Sequence, residues 1–531
     1  MKLLKLAIAF TISLSSFTQD SFLYDVKLTP ITIPNMPGIH SFAKAEHNGK
    51  WLLIGGRLDG LHARQPWAAF PANQNNTDIM VVDVENQQYW SSSINVLPTS
   101  IAEQMQSTNM NFTQIEDTLY IVGGYAYAQS AADHITFPNL TTVNVPALID
   151  AVINGEDVTP FFKQTEDDIF AVTGGHLTAL DDTLYIIGGH RFDGRYNPMG
   201  HNTYVQTYVD GIRKFTVNNS GTEPTYDNYS EIIDPVHLHR RDYNLVPQIF
   251  PNGDEGFMIS SGVFQQTMDL PFLYPVDIVN GGYSPNTSFN QYLSNYHSST
   301  LSLHDANSNE MHNLFFGGMS QYYYQNGAMV EDTQVPFVNT ISRVTRYPNG
   351  DMTEYLNPTQ MPGLKGASAE FFINKNLPQN QLGVILMDQI TADSIVAGYI
   401  VGGIASQAEN PFSSNNVGVT SADATIYRVD LIFNESLNVE NLDGNNPYSF
   451  TVFPNPAKET ITLDFELDQP ALVDYFITDV TGKIVKQGRF DNTKAGENSY
   501  KLKLKNISPQ MLTISLSIDG VFYLTKKIIK E

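Results

Sequence analysis

In this 531-residue chain, arginine, histidine and tyrosine gather at two kinds of position: just past short Gly pairs, and just ahead of short apolar runs. Past the Gly pairs stand Arg57, Tyr125, His190 with Arg191, Phe264, Met319 with Tyr322, and Ile404; ahead of the runs stand His40, His176, Arg240-Arg241-Asp242-Tyr243 and His297. Histidine and tyrosine move protons in catalysis, and arginine grips a carboxylate through two parallel hydrogen bonds. His176, His190 and Tyr125 are therefore candidate acid–base groups. His40, Arg57, Arg191, Arg240, Arg241, Asp242, His297 and Tyr322 are candidates for ligand contact. Each also has a plainer role open to it. Arg240-Arg241-Asp242 suits an ion pair or hydrogen bonds to loop carbonyls, the imidazoles suit a polar channel filling, and the tyrosines suit packing or sugar stacking without proton transfer.

Other chemistries are missing from the sequence. There is no cysteine, which excludes Cys-ligated zinc, thiol catalysis, disulfides and a cysteine-crosslinked tyrosine. No phosphate-binding Gly loop, Gly-x-Ser-x-Gly elbow or closely spaced carboxylate pair stands out. His237-Leu238-His239 could put two imidazoles on one strand face, but no carboxylate motif accompanies them, so no metal or other cofactor is expected. Residues 19–446 carry 45 acidic against 17 basic side chains, whereas the last 85 residues carry 10 against 11. Such a field repels nucleic acid and anionic membrane.

The elements that must position these residues repeat. Asp117-Thr118-Leu119-Tyr120-Ile121-Val122-Gly123-Gly124 recurs almost word for word as Asp182-Thr183-Leu184-Tyr185-Ile186-Ile187-Gly188-Gly189, and similar endings stand at Gly55-Gly56, Gly317-Gly318 and Gly402-Gly403, with Ser261-Gly262 a degenerate member. The first unit reads as four strands, with an Asn48-Gly49 hairpin turn between its first two. Four short strands per unit is the arithmetic of a propeller blade. Such a Gly-Gly strand, followed by a third strand and a fourth with Tyr and Trp, resembles the Kelch repeat. Six copies over roughly residues 22–436 imply a six-bladed Kelch-like β-propeller whose first-strand starts and post-Gly residues meet on one face near the axis. The spacings of 68, 65, 73, 56 and 85 residues imply insertions, read at Ala128 to Gln164, Gln265 to Ser294 and Asn374 to Ser394. The last unit lacks a fourth strand, which the orphan run at residues 22–33 is placed to supply.

The termini read as addresses. Lys2, Lys5 and the apolar run Leu3 to Leu14 form a signal peptide over residues 1–18, and no later run approaches the roughly 20 apolar residues of a membrane helix. A polar linker at 437–446 leads to short alternating strands, read as a small β-sandwich over 447–531. Its Phe453-Pro454-Asn455-Pro456 start, Asp479…Gly482-Lys483 hairpin and Lys526-Lys527 tail closely resemble the C-terminal sorting domain of the type IX secretion pathway of Bacteroidetes. That resemblance implies handling by the type IX machinery and a secreted or outer-membrane surface location. The fold class is thus all-β, residues 19–436 forming the propeller. The leading functional reading is a surface recognition module binding a glycan or protein through its central funnel. The alternative is a polysaccharide lyase or acidic-sugar epimerase with His/Tyr acid–base groups and an Arg carboxylate anchor.

Overall fold

The computed structural model describes residues 24–65, 67–197, 203–325, 327–433, 448–479, 483–505, 507–519 and 522–531. The expected signal peptide at 1–18, the expected linker at 437–446 and residues 480–482 of the expected Asp479…Lys483 hairpin lie outside them. The chain divides into two compact units, Met1–Asn434 and Glu435–Glu531.

The first unit is a six-bladed β-propeller built from antiparallel sheets of four main strands. Blade one runs Ala43–His47, Lys50–Ile54, Asp78–Asp83 and Gln88–Ser93 from inside to outside. Blades two to five start at Asn111–Ile115, His176–Leu180, Asn244–Ile249 and Ser299–Asp305. Blade six takes Glu370–Ile373, Ser394–Val401 and Ile426–Phe433, and its outer strand is the N-terminal Tyr24–Ile31, which pairs antiparallel with Ile426–Phe433 from Tyr24 opposite Phe433 to Ile31 opposite Ile426. That pairing covers the exposed edge of the last sheet. Second strands such as Leu184-Tyr185-Ile186-Ile187 are buried on both faces, because each blade packs against its two neighbours.

Two of the expected insertions contain blade strands. Asn139–Asn144, within 128–164, and Phe162–Glu166, which begins inside it and runs two residues past its end, are the third and fourth strands of blade two, and Val276–Val279 and Gly282–Pro285, within 265–294, complete blade four. They are short and interrupted by real excursions, among them the helix Val145–Asn154 between strands three and four of blade two. That helix has Asn144 accepting from the Ala147 N–H at its start, a Pro in its first turn and left-handed Gly155 at its end. Within 374–394, Ile385–Leu386 pairs parallel with the first strand of blade five.

Both residues of every Gly-Gly step, and of the Ser261-Gly262 variant, have φ between 54° and 98°. The reason is the next blade. The second residue donates its N–H to that blade, as in Gly56 to Ser107 O (2.8 Å), Gly189 to Arg240 O (2.8 Å) and Gly403 to Ile39 O (2.8 Å). At Gly123 a Cβ would lie 1.8 Å from Val172 O, where no side chain fits.

The second unit has a three-stranded sheet (Phe450–Phe453, Thr460–Leu467, Gly496–Lys503) and a four-stranded sheet (Ile484–Phe490, Val473–Thr478, Gln510–Ile518, Phe522–Lys530). Alternate residues of both, including Ile461, Leu463, Phe465, Val473, Ile477, Leu512, Ile514 and Leu516, share one core, so this is a β-sandwich.

Gly123 and Gly155 separate backbone strain from collision, since both have φ near 70° but Gly155 faces open space. Gly155→Ala is expected to cost about 1 kcal/mol, the price of left-handed backbone for an L residue, and Gly123→Ala at least twice that. Urea unfolding at unchanged m-value measures both; equal midpoint shifts would contradict the inter-blade contact.

Candidate functional site

A closed ring of backbone hydrogen bonds surrounds the propeller axis. Asn109 N–H donates to Ser41 O (3.1 Å), Gly174 to Asn109 (3.2 Å), Asp242 to Gly174 (2.7 Å), His297 to Asp242 (2.8 Å), Ser368 to His297 (2.9 Å), and Ser41 back to Ser368 (3.1 Å). Each residue lies just ahead of, or close to, its blade's first strand. Five of the six have φ between 50° and 65°, a region in which Asn, Asp and Gly are the common residues. The ring is the floor of one cavity and the ceiling of another.

Above the ring a funnel of about 650 Å³ opens outward. One residue past each Gly pair bonds across to the residue before its own ring position: Arg57 with His40, Tyr125 with Thr108, His190 with Thr173, and Val263 with Arg241. The wall is raised by material inserted after those steps. Tyr125–Ala128, Asp133–Thr136, His190–Gly194 and Tyr204–Tyr208 make a separate four-stranded sheet from blades two and three, Phe192 N donating to Thr136 Oγ1 (2.8 Å) where they join. Aromatic rings face inward from it and from nearby loops. Tyr196 stacks on Tyr204 (5.6 Å) and meets His62 edge-on (4.8 Å), while His62 stacks on Phe70 (4.8 Å).

Of the residues singled out in the sequence, His40, Arg57, Tyr125, His190, Arg241, Asp242 and His297 line this funnel. Arg57 is buried, its Nε and Nη2 held by the two oxygens of Asp59 (2.8 and 2.6 Å) and its Nη1 by Asn75 Oδ1 (2.8 Å). Arg241 Nη1 is bound to Asp242 Oδ2, its Nε to Tyr208 OH (3.1 Å), and its plane lies 5.0 Å from the Phe264 ring centre. The Tyr125 phenol donates to Gly194 O (2.8 Å) and accepts from Tyr196 N–H (3.2 Å); burial pushes its pKa up. His190 Nδ1 accepts from Gln206 Nε2 (2.7 Å), which leaves the ring proton on Nε2. Burial, then the Arg241 charge, hold this imidazole well below its usual pKa, so it is neutral.

Four candidates stand elsewhere. Arg191 follows His190 on a strand, so it points to the opposite face, where it is paired with Asp168 (3.0 Å) and Asp193 (2.9 Å). Arg240 is fully buried between Phe272 and Tyr274 and donates to the carbonyls of His237, Ser261 and Tyr274. Tyr322 packs edge-on against Tyr292 (4.9 Å) in the hairpin Tyr322–Gln325 with Ala328–Glu331, outside the funnel lining. His176 lies beneath the ring, lining only the lower cavity of about 40 Å³, with its Nε2 donating to Tyr243 O (2.8 Å). There it joins His297, Glu370 and Lys44: His297 Nε2 is 3.4 Å and Lys44 Nζ 3.3 Å from Glu370. Burial lowers both imidazoles to about 4.

Each of the arginines singled out in the sequence is therefore already engaged by the chain, two of them at the funnel and two away from it. Among the described residues no group of three or more His, Asp or Glu is arranged to hold a metal. His237 meets Tyr274 OH (3.0 Å), and His239 meets Asp210 (2.5 Å) and stacks on Tyr208. Sequence reading missed Phe70, Phe192, Tyr196, Tyr204, Gln206, Tyr208 and Tyr296. The alternation Tyr204-Val205-Gln206-Thr207-Tyr208 was the available signal, for it puts Tyr, Gln and Tyr on one strand face.

Residues 451–531 match the family of secretion system C-terminal sorting domains. This sorting domain supports export by the type IX system, to the cell surface or outside. No helix among the described residues is long and apolar enough to cross a membrane. No curated protein matches the chain. Among solved structures it is similar to YjhT (12% identity, 76% of this chain and 97% of that chain, TM-score 0.42). It is also similar to a fungal alcohol oxidase of the AA5 family in complex with copper (10% identity, 95% and 99%, TM-score 0.34).

His62 gives the funnel wall a measurable pH signature. Burial lowers its pKa from 6.5 to about 4, so its contribution to stability is present above pH 6.5 and lost as pH falls toward 4. His62→Phe keeps an aromatic ring on Phe70 and removes the titration. Relative to wild type the variant is expected to gain about 2 kcal/mol between pH 7.5 and pH 5, read by urea unfolding. A difference independent of pH would contradict a neutral, half-buried His62.

Proposed function

We propose that this chain is an exported recognition protein whose propeller binds a glycan in the funnel above the ring. The observation that carries the reading is the funnel's construction: a cavity of about 650 Å³ with aromatic side walls and a polar floor, within the size range of small-ligand sites. Aromatic rings stack against the C–H faces of sugars, and fixed polar groups at the floor take hydroxyls. The Gly-Gly steps support placing the blades in the Kelch class. We extend the same reading to a signal peptide at 1–18, a linker at 437–446 and a sorting domain from 447, which would bring the funnel to the cell surface or release it.

A lyase or epimerase has less support. His176 and His190 lie on opposite faces of the ring and cannot act on one ligand. The Tyr125 phenol is engaged at both its donor and acceptor positions, and neither Arg57 nor Arg241 is free of a carboxylate.

A glycan array on the purified chain, run beside an absorbance assay for unsaturated uronates, tests the reading. Binding without a rise in absorbance is expected; turnover would overturn it, and silence on the array would redirect it to a protein partner. Tyr204→Ala, which removes a wall ring, is expected to weaken the glycan by roughly tenfold, about 1.4 kcal/mol, in calorimetry. Deleting 448–531 is expected to leave the propeller cell-associated beneath the surface, seen by protease accessibility of intact cells; unchanged surface exposure would contradict the sorting role.

A further inference from the structure

The charges of the funnel decide which glycans it can hold. Arg57 is held by Asp59, Asn75 and Pro71 O, and Arg241 is paired with Asp242. Among the described residues the only other formal charge on the lining is Asp269, since burial keeps the lining imidazoles neutral. The lining is thus balanced or slightly negative, inside a region (residues 19–446) carrying 45 acidic and 17 basic side chains. A ligand carboxylate entering here would have to displace Asp59 or Asp242 from its arginine, leaving a part-buried carboxylate without its partner. Long-range repulsion adds to that cost.

Several polar atoms of the lining have no hydrogen-bond partner among the described residues, and three of them, Arg241 Nη2, His190 Nε2–H and Asp242 Oδ1, belong to charged or imidazole side chains near the floor. Two of them converge over Gly174, where an added Cβ would stand 2.8 Å from Asp242 Oδ1 and 3.6 Å from His190 Nε2. Two donors and one acceptor, fixed by the ring and by Gln206 and Tyr208, complement neighbouring hydroxyls, each of which both donates and accepts. They offer a carboxylate no unopposed cation.

We propose that the funnel selects uncharged sugars, neutral mono- or oligosaccharides bound through adjacent hydroxyls at His190, Arg241 and Asp242, and rejects uronates. This rests on the glycan reading above and narrows it. Asp242→Asn converts the mechanism into a gain of function: asparagine tolerates the left-handed backbone at this position, and Arg241 loses its carboxylate.

The experiment is calorimetry on the full chain with neutral gluco-, xylo-, manno- and galacto-trisaccharides against galacturonate, mannuronate and guluronate trisaccharides. Wild type is expected to bind at least one neutral trisaccharide at least tenfold tighter than any uronate. In D242N, checked for an unchanged melting transition, uronate affinity is expected to rise at least tenfold. A wild-type funnel that binds uronates as tightly as neutral sugars overturns this inference and leaves the glycan reading standing. Unchanged rejection of uronates by folded D242N overturns the role of the Arg241–Asp242 pair. Binding of no trisaccharide of either kind overturns both the inference and the reading it rests on. The wild-type comparison decides selectivity even if D242N fails to fold.

Discussion

Six backbone hydrogen bonds running head to tail around the axis, from Ser41 through Asn109, Gly174, Asp242, His297 and Ser368 back to Ser41, are the constraint on which the propeller depends. A row of strands has two ends with unsatisfied donors and acceptors, and a ring has none. The N-terminal strand completes the same closure at the outside of blade six. Left-handed backbone costs non-glycine residues about 1–2 kcal/mol each, yet Ser41, Asn109, Asp242 and Ser368 all adopt it. The cost is offset because that turn lets each chain pass close to the axis with its N–H and C=O aimed at the neighbouring blades. The Gly-Gly steps lie one layer farther out and bind each second strand to the next blade.

The ring also organises the chemistry. Side chains near the axis divide between the funnel and the small cavity beneath the ring, apart from Ser41, Asn109, Asp242 and His297 of the ring itself, which border both. His190 is assigned to the first and His176 to the second, while His297 contributes backbone to the ring and its imidazole to the Glu370–Lys44 network below. The arginines on the funnel lining are Arg57 and Arg241 among the described residues. Its arginines serve mainly as structure: Arg57 ties the loop containing Asp59 and Asn75 to blade one, and Arg241 props Tyr208 and Asp242 at the floor. What remains for a ligand is a few unpaired hydrogen-bonding atoms and aromatic faces.

Much of the scaffold was legible because its causes are local. A left-handed step recurs wherever a second strand meets the next blade, so Gly-Gly recurs, and the orphan strand at 22–33 could be paired by counting. The strands lost inside the expected insertions were legible only in part, since Val276–Val279 and Asn139–Asn144 are short and stand beside excursions with no period of their own. The site was legible in position but not in orientation. His190 and Arg191 are neighbours in sequence and point to opposite faces, and Arg240 and Arg241 diverge likewise into the core and the funnel. Whether an arginine is free depends on partners such as Asp59 and Asp242, and adjacency in sequence does not say which oxygen reaches which nitrogen. The aromatic wall was hidden for another reason: it comes from a sheet shared between two blades, joined where Asp193 pairs with Ile135, far apart in sequence, which no local pattern encodes.

The most direct measurement is a crystal structure of the chain with a neutral oligosaccharide that it binds. A sugar ring against the aromatic wall is predicted, with hydroxyls within hydrogen-bond distance of His190 Nε2 and Asp242 Oδ1 and with the Arg241–Asp242 pair intact. Ligand bound on the outer strands or below the ring, or a funnel in which Asp242 has swung away from Arg241 to admit a ligand anion, would contradict it.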